Sequence, residues 1–205
     1  MRRIKQSHFL ILLLGFFVIL LIWSAIEPKE YRLWVLEVAP AVIGVVLCII
    51  LYFKQPFTSI TYFWCFIAAC LMAIGAHYSY SEVPLFDHIK IVFNSDRNNY
   101  DKIGHFVQGM VPALISLEVF IRQKIIHSPR MRNFLSLCVA MTVAASYEMI
   151  EWLAIILNPG VTENFLGMQG YIWDAQSDMF YALLGALTVI LFSGKLYQAI
   201  ASKNT

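Results

Sequence analysis

The sequence predicts an all-α fold: a polytopic membrane bundle of six transmembrane helices with both termini cytoplasmic. Three observations carry this. The 205 residues are 60% hydrophobic and only 14% charged, with a mean hydropathy of +0.68, whereas soluble domains run near a quarter charged. Six apolar runs approach the roughly 20 residues that a helix needs to cross hydrocarbon. The basic residues are shared unevenly between alternate loops, as cytoplasmic loops demand.

The six spans are expected at residues 9–26, 33–53, 57–76, 103–121, 134–157 and 177–197, all within one integral membrane domain covering residues 1–205. The first follows MRRIKQ, which has the character of a signal-peptide n-region. Its apolar run is too long for a typical h-region and no small-residue cleavage site follows, so a retained span is expected. With the N-terminus inside, Arg2, Arg3, Lys5, Lys54, Arg122, Lys124, Arg130, Arg132, Lys195 and Lys203 are cytoplasmic, ten in all. Lys29, Arg32, Lys90, Arg97 and Lys102 are outside, five in all, and the last outer loop, 158–176, has none. The outer loop 78–102 contains VPLFDHIKIVF, expected as a short interfacial helix. Loop 158–176, with NPG and GMQGYIW, is expected as a flap over the site at the membrane surface. The cysteines Cys48, Cys65, Cys70 and Cys138 all lie in apolar runs and have neither disulfide nor zinc spacing. No basic run suits nucleic acid, so no nucleic-acid partner is expected.

Polar residues in the last three spans converge. YDKIGHFVQG places Asp101 and His105 four apart on one helix face, continued by Gln108. In SYEMIEWLAIIL, Glu148 and Glu151 are i, i+3 neighbours. At 1.5 Å per residue they lie about 14 Å and about 9 Å from the outer end at Leu157. WDAQSDMFYALLGA pairs Asp174 with Asp178. Sixteen uncharged residues separate Asp178 from Lys195, too few for a span, so the last helix is expected to start above Asp178. A carboxylate facing lipid costs about 2.5–3.5 kcal/mol on insertion scales. Three consecutive helices carrying acids and a histidine to one depth therefore point to one inward-facing site.

His105, Glu148, Glu151 and Asp178 are the candidate catalytic residues and also the candidate ligands of a divalent metal ion, with Asp101, Gln108 and Asp174 as candidate substrate-binding residues. Each has a plainer reading. His105 bonds a carbonyl; Asp174 caps the last helix; Glu118 pairs with Arg122 four residues on. Glu37 snorkels outward or pairs with Arg32, while Gly185 and the run Ala144, Ala145, Ser146 serve close helix packing.

The segments VPLFDHIKIVF, RNNYDKIGHFVQG, Glu118 to Arg122, SYEMIEW and YIWDAQSDMFYALLGA resemble the YjdF family of bacterial inner-membrane proteins. The resemblance spans nearly the whole chain and is best from Val83 onward. DKIGH opening one span, an acid in the next, and an aspartate opening a last span that ends in Gly185-Ala186 are more distantly similar to the VanZ-like pattern, which would place a small polar residue at Ala182. These resemblances imply a bacterial inner-membrane location and bring no molecular function with them.

Three function classes remain open. An enzyme would use the histidine and carboxylates for acid–base chemistry, or hold Mg, Mn or Zn, on an amphiphile such as a lipid-linked envelope intermediate; HExxH, GxSxG and CxxC are all missing. A transporter would move protons or cations through the same groups. A non-catalytic accessory protein would bind membrane lipid. The topology itself is testable. A reporter active only in the periplasm should be silent when fused after Ser202 and active in the loop near Asn164; the reverse pattern would invert the map.

Overall fold

The computed structural model describes residues 2–157 and 169–201. Among these, all regular structure is helical: α1 Arg2–Ser24, α2 Tyr31–Lys54, α3 Ser59–Tyr78, α4 Pro84–Val92, α5 Tyr100–Arg122, α6 Pro129–Leu157, α7 Asp174–Leu191 and α8 Ser193–Ala201. A one-turn 3₁₀ helix, Tyr80–Glu82, joins α3 to α4. Five segments are long and apolar enough to cross a membrane: Gln6–Ser24, α2, α3, α5 and α6. The short helix expected in the 78–102 loop is present as α4.

One expected span is corrected. The run at 177–197 is not a single helix, because α7 covers 18 residues and stops at Leu191. Phe192 leaves helical geometry at φ −100°, ψ 7°, and the Ser193-Gly194 pair that follows has poor helix propensity. The nine-residue α8 then turns Leu196 and Ile200 into the core beside Leu117 of α5. At its other end α7 starts at Asp174, above Asp178, as the spacing predicts.

α5 is the axis of the bundle. It packs on α7, α6, α3 and α8, while α1 and α2 pack on α3. The α5–α7 crossing is a backbone contact. A Cβ on Gly109 would stand 1.8 Å from the Ala182 carbonyl oxygen, and one on Gly185 would stand 1.8 Å from that of Phe106. Small residues at a crossing let two backbones approach where lipid offers no hydrophobic drive for association. This contact sets the register that brings the first turns of α5 and α7 level. On α6 the buried stripe is Ser136, Ala140 and Ala144; Ser146, expected in the packing face, points outward and is exposed. Four-residue spacing carries that stripe on to Glu148.

The far end of α5 is fixed by Glu118, which is fully buried. Its carboxylate meets Arg122 Nε at 2.7 Å and accepts from the Thr58 backbone N–H at 2.7 Å and Thr61 Oγ1 at 2.6 Å. The expected ion pair is present, and the same carboxylate closes the N-terminus of α3, where negative charge is favoured.

Gly185→Ala should therefore drive a methyl group into the Phe106 carbonyl. The expected loss is about 3 kcal/mol, the upper end for overpacking, since the obstacle is backbone. Thermal unfolding in detergent checks it, with Gly194→Ala, where nothing lies within 4 Å of the added Cβ, as the mild control.

Candidate functional site

Asn98 fixes where α5 begins. It is almost fully buried, and its Oδ1 accepts the Tyr100 N–H at 3.1 Å. Its Nδ2 donates to the Val83 carbonyl at 3.1 Å and Asp87 Oδ1 at 2.9 Å, tying α5 to α4. The Gln169 side chain takes both backbone groups of Asn98, at 3.0 and 2.9 Å. The described end of the 158–176 loop is thus docked beside the site; residues 158–168 of the expected flap lie outside the described residues.

Starting at Tyr100, α5 turns Lys102, His105 and Gly109 toward α7. Lys102 Nζ stands 2.7 Å from Asp174 Oδ1 and 2.6 Å from Asp178 Oδ1, with all three side chains nearly dry. Arg97 Nη2 meets Asp174 Oδ1 at 2.6 Å and Asp101 Oδ2 at 3.5 Å. His105 Nε2 lies 3.2 Å from Asp101 Oδ1 and 3.7 Å from Asp178 Oδ1. On the other side of the ring, Nδ1 lies 2.7 Å from Gln108 Oε1 and 3.7 Å from Glu148 Oε1. The Tyr147 ring stands edge-on to the imidazole at 6.1 Å.

Six of the seven sequence candidates, Asp101, His105, Gln108, Glu148, Asp174 and Asp178, meet here in side-chain contacts. Asp101, Gln108 and Asp174, expected to bind substrate, have polar atoms turned to His105, Arg97 and Lys102. The N-cap residue of α7 is Trp173; Asp174 is the first helical residue and spends its carboxylate on the two cations. Glu151 follows Glu148 by three residues on α6. The proposed metal quartet His105, Glu148, Glu151 and Asp178 is divided by the imidazole. The compact triad is instead Asp101, His105 and Asp178, whose ligand atoms lie within 4.8 Å of one another, and Lys102 already stands within ion-pair distance of both its carboxylates, at 2.6 Å from Asp178 and 3.7 Å from Asp101.

Three participants were not legible as such. Lys102 reads in the sequence as a loop cation, because the span is expected to begin at Ile103; a helix starting three residues earlier, at Tyr100, puts it on the His105 face. Arg97 reads the same way. Glu37 neither snorkels nor pairs with Arg32. It is buried at 4% exposure, and both carboxylate oxygens lack a hydrogen-bond partner. Tyr80, in the 3₁₀ turn, lies over Gly75, where an added Cβ would stand 2.7 Å from its ring. Burial raises the Tyr80 phenol well above its usual pKa, and Tyr147, Glu37 and Asp101 are among the groups that act on it. Beside the start of α5 an apolar recess of about 410 Å³, lined by Leu71, Ile74, Pro84, Phe86, Tyr100 and Ile103 among others, opens between α3 and α4.

The comparisons with known proteins agree with this architecture. The family model described as "Predicted membrane protein (DUF2238)" matches residues 9–198. The chain belongs to that family. It is 38% identical over 179 residues to the inner membrane protein YjdF of Escherichia coli (strain K12), covering 87% of this chain and 86% of that one. No solved structure matches. The chain is a multi-pass inner-membrane protein.

Lys102→Met tests the ion cluster. It leaves Asp178 buried without its ammonium, and breaking such a pair costs about 3–5 kcal/mol. The double variant Lys102→Met, Asp178→Asn should recover much of that loss in detergent unfolding; additive losses would show that the pair is not coupled.

Proposed function

We propose that this protein receives the polar headgroup of a lipid-linked envelope substrate in an outward-facing histidine–carboxylate site and carries out acid–base chemistry on it through His105. The observation that carries the reading is Glu148 Oε1. It is buried, has no hydrogen-bond partner, and lies 3.7 Å from His105 Nδ1. Asp101 and Gln108 occupy the two ring nitrogens of His105, so the open Glu148 oxygen is the acceptor through which a proton would pass between the imidazole and a bound group. The apolar recess against Tyr100 offers room for a lipid chain next to that headgroup. The basic-residue bias supports an outer location and six spans, with α7 as the sixth and both termini cytoplasmic.

The transport reading is less well supported. Beyond the site, Met110, Ala113, Leu114, Leu117, Ala186 and Val189 form a packed apolar layer. Glu118 lies 13 residues after His105, about 20 Å along the helix, and is committed to Arg122 and α3.

Native mass spectrometry of protein extracted in mild detergent tests the proposal. His105→Gln keeps the shape of the site and loses the acid–base group, whose removal slows such steps by about 10²–10⁴-fold. The variant is expected to accumulate an amphiphile that the wild type turns over. The same bound lipid in equal amount in both proteins would replace catalysis with simple lipid binding, and no bound amphiphile in either would overturn both.

A further inference from the structure

The 13 acids of the chain are spread unevenly. Residues 38–81, 103–147 and 179–205 contain Glu118 and no other, and its carboxylate is committed to Arg122 and the start of α3. The end of the bundle opposite His105 therefore carries Lys54, Arg122, Lys124, Arg130, Arg132 and Lys195 with no further acid to answer them. At that end a cavity of about 360 Å³ opens between the last turns of α5 and the first turns of α6 and α8, lined by His127, Arg132, Asn133, Ser193, Gly194 and Tyr197 among others. Small-ligand sites span about 300–1,000 Å³.

The polar walls of this cavity are fixed. Asn133 Nδ2 donates to Ser193 Oγ at 3.2 Å, joining α6 to α8. Arg132 Nη1 donates to the Ile126 and His127 carbonyls at 3.1 and 3.3 Å, and its guanidinium lies 5.3 Å from the centre of the Tyr197 ring. These contacts hold the arginine in place and leave its charge unneutralised. Among the described residues no carboxylate lies within ion-pair distance of it, and its Nε and Nη2 have no acceptor. One turn further along α6, Ser136 is fully buried with its hydroxyl unpartnered.

We propose that this cavity holds the phosphate of an anionic membrane lipid. A guanidinium presents a planar fork that matches phosphate oxygens, and here that fork is positioned but unspent. The Asn133 amide, the Ser193 hydroxyl and the His127 ring supply further polar groups around the same space. Basic pockets between membrane helices take lipid headgroups in this way. Phe134 and Phe192, each next in the chain to a lining residue, are exposed and offer acyl chains an apolar surface beside the headgroup.

The test uses the full chain, delipidated in mild detergent and titrated separately with phosphatidylglycerol, phosphatidylcholine and inorganic phosphate, read by native mass spectrometry and thermal unfolding. It touches no residue of the His105 site, so it stands apart from the acid–base reading. The wild type should take up phosphatidylglycerol saturably, with a matching rise in Tm, and phosphatidylcholine about tenfold more weakly. Arg132→Gln removes a charge-assisted contact and should weaken phosphatidylglycerol binding about 10- to 100-fold. Gly194→Leu fills the cavity without changing charge, since an added Cβ there meets nothing within 4 Å. It should abolish saturable uptake while keeping the lipid-free Tm, and it serves if Arg132→Gln fails to fold. Arg130→Gln removes an equal charge at an exposed position outside the lining, and should weaken binding less than about fivefold. Equal uptake of the two lipids, equal losses in the Arg130 and Arg132 variants, or saturable uptake that survives Gly194→Leu would overturn the site and leave only the general attraction of a basic end for anionic lipid. Saturation by inorganic phosphate without uptake of phosphatidylglycerol would overturn the lipid as its occupant.

Discussion

Lys102 carries one charge into a nearly dry space and divides it between two aspartates of α7, at 2.7 and 2.6 Å. An ammonium in that position has no route back to water and no substitute for those carboxylates, so its burial is tolerable only while α7 stands level with α5. The Gly109 and Gly185 contacts supply that register. Packing and charge thus depend on each other: the backbones approach because glycines let them, and the approach is safe because the polar groups it buries are matched. Buried ion pairs are weak contributors to stability but costly to break. The arrangement therefore specifies one docking of α7 more than it strengthens the fold. His105 inherits its position from the same register, since Asp101 and Asp178 reach it from the two helices so aligned.

Much of the bundle was legible in the sequence, for a physical reason. Hydrocarbon imposes a length and a composition on each helix, and Arg2 to Phe53 or Phe134 to Leu157 satisfy them visibly. Depth was legible too, because a carboxylate in lipid is expensive enough to make Glu148, Glu151 and Asp178 stand out from their surroundings. Lys102 was hidden by the same logic. Beside Ile103 it marks the edge of an apolar run, and nothing local shows that Asn98 starts the helix earlier and turns that lysine inward. The break at Phe192 was hidden because only Ser193, Gly194 and Lys195 interrupt the sequence there before Leu196 and Tyr197. Glu37 was misread because a single acid near a span end usually reaches the surface. Only the placement of α2 on α3 reveals that its side chain is buried.

The site separates two kinds of acid by helix. Aspartates, with short side chains, sit on α5 and α7 against Arg97, Lys102 and His105, which come from α5 and the turn before it. Glu148, one methylene longer, reaches in from α6, which brings no base to the centre. Along α5 the polar groups at the Tyr100 end give way to small and branched apolar residues, then to Glu118 bound to α3. The helix is consequently anchored by charge at both ends and by close packing in the middle.

The Gln169 amide grips the backbone of Asn98 as a neighbouring strand would, taking its N–H and its carbonyl together. Five residues later, Asp174 holds Arg97. Residues 97–98 and 169–174 are therefore closed into a small ring, a buckle fastened by side chains. The start of α7, and with it the aspartates that face Lys102, is thereby clasped directly to the start of α5.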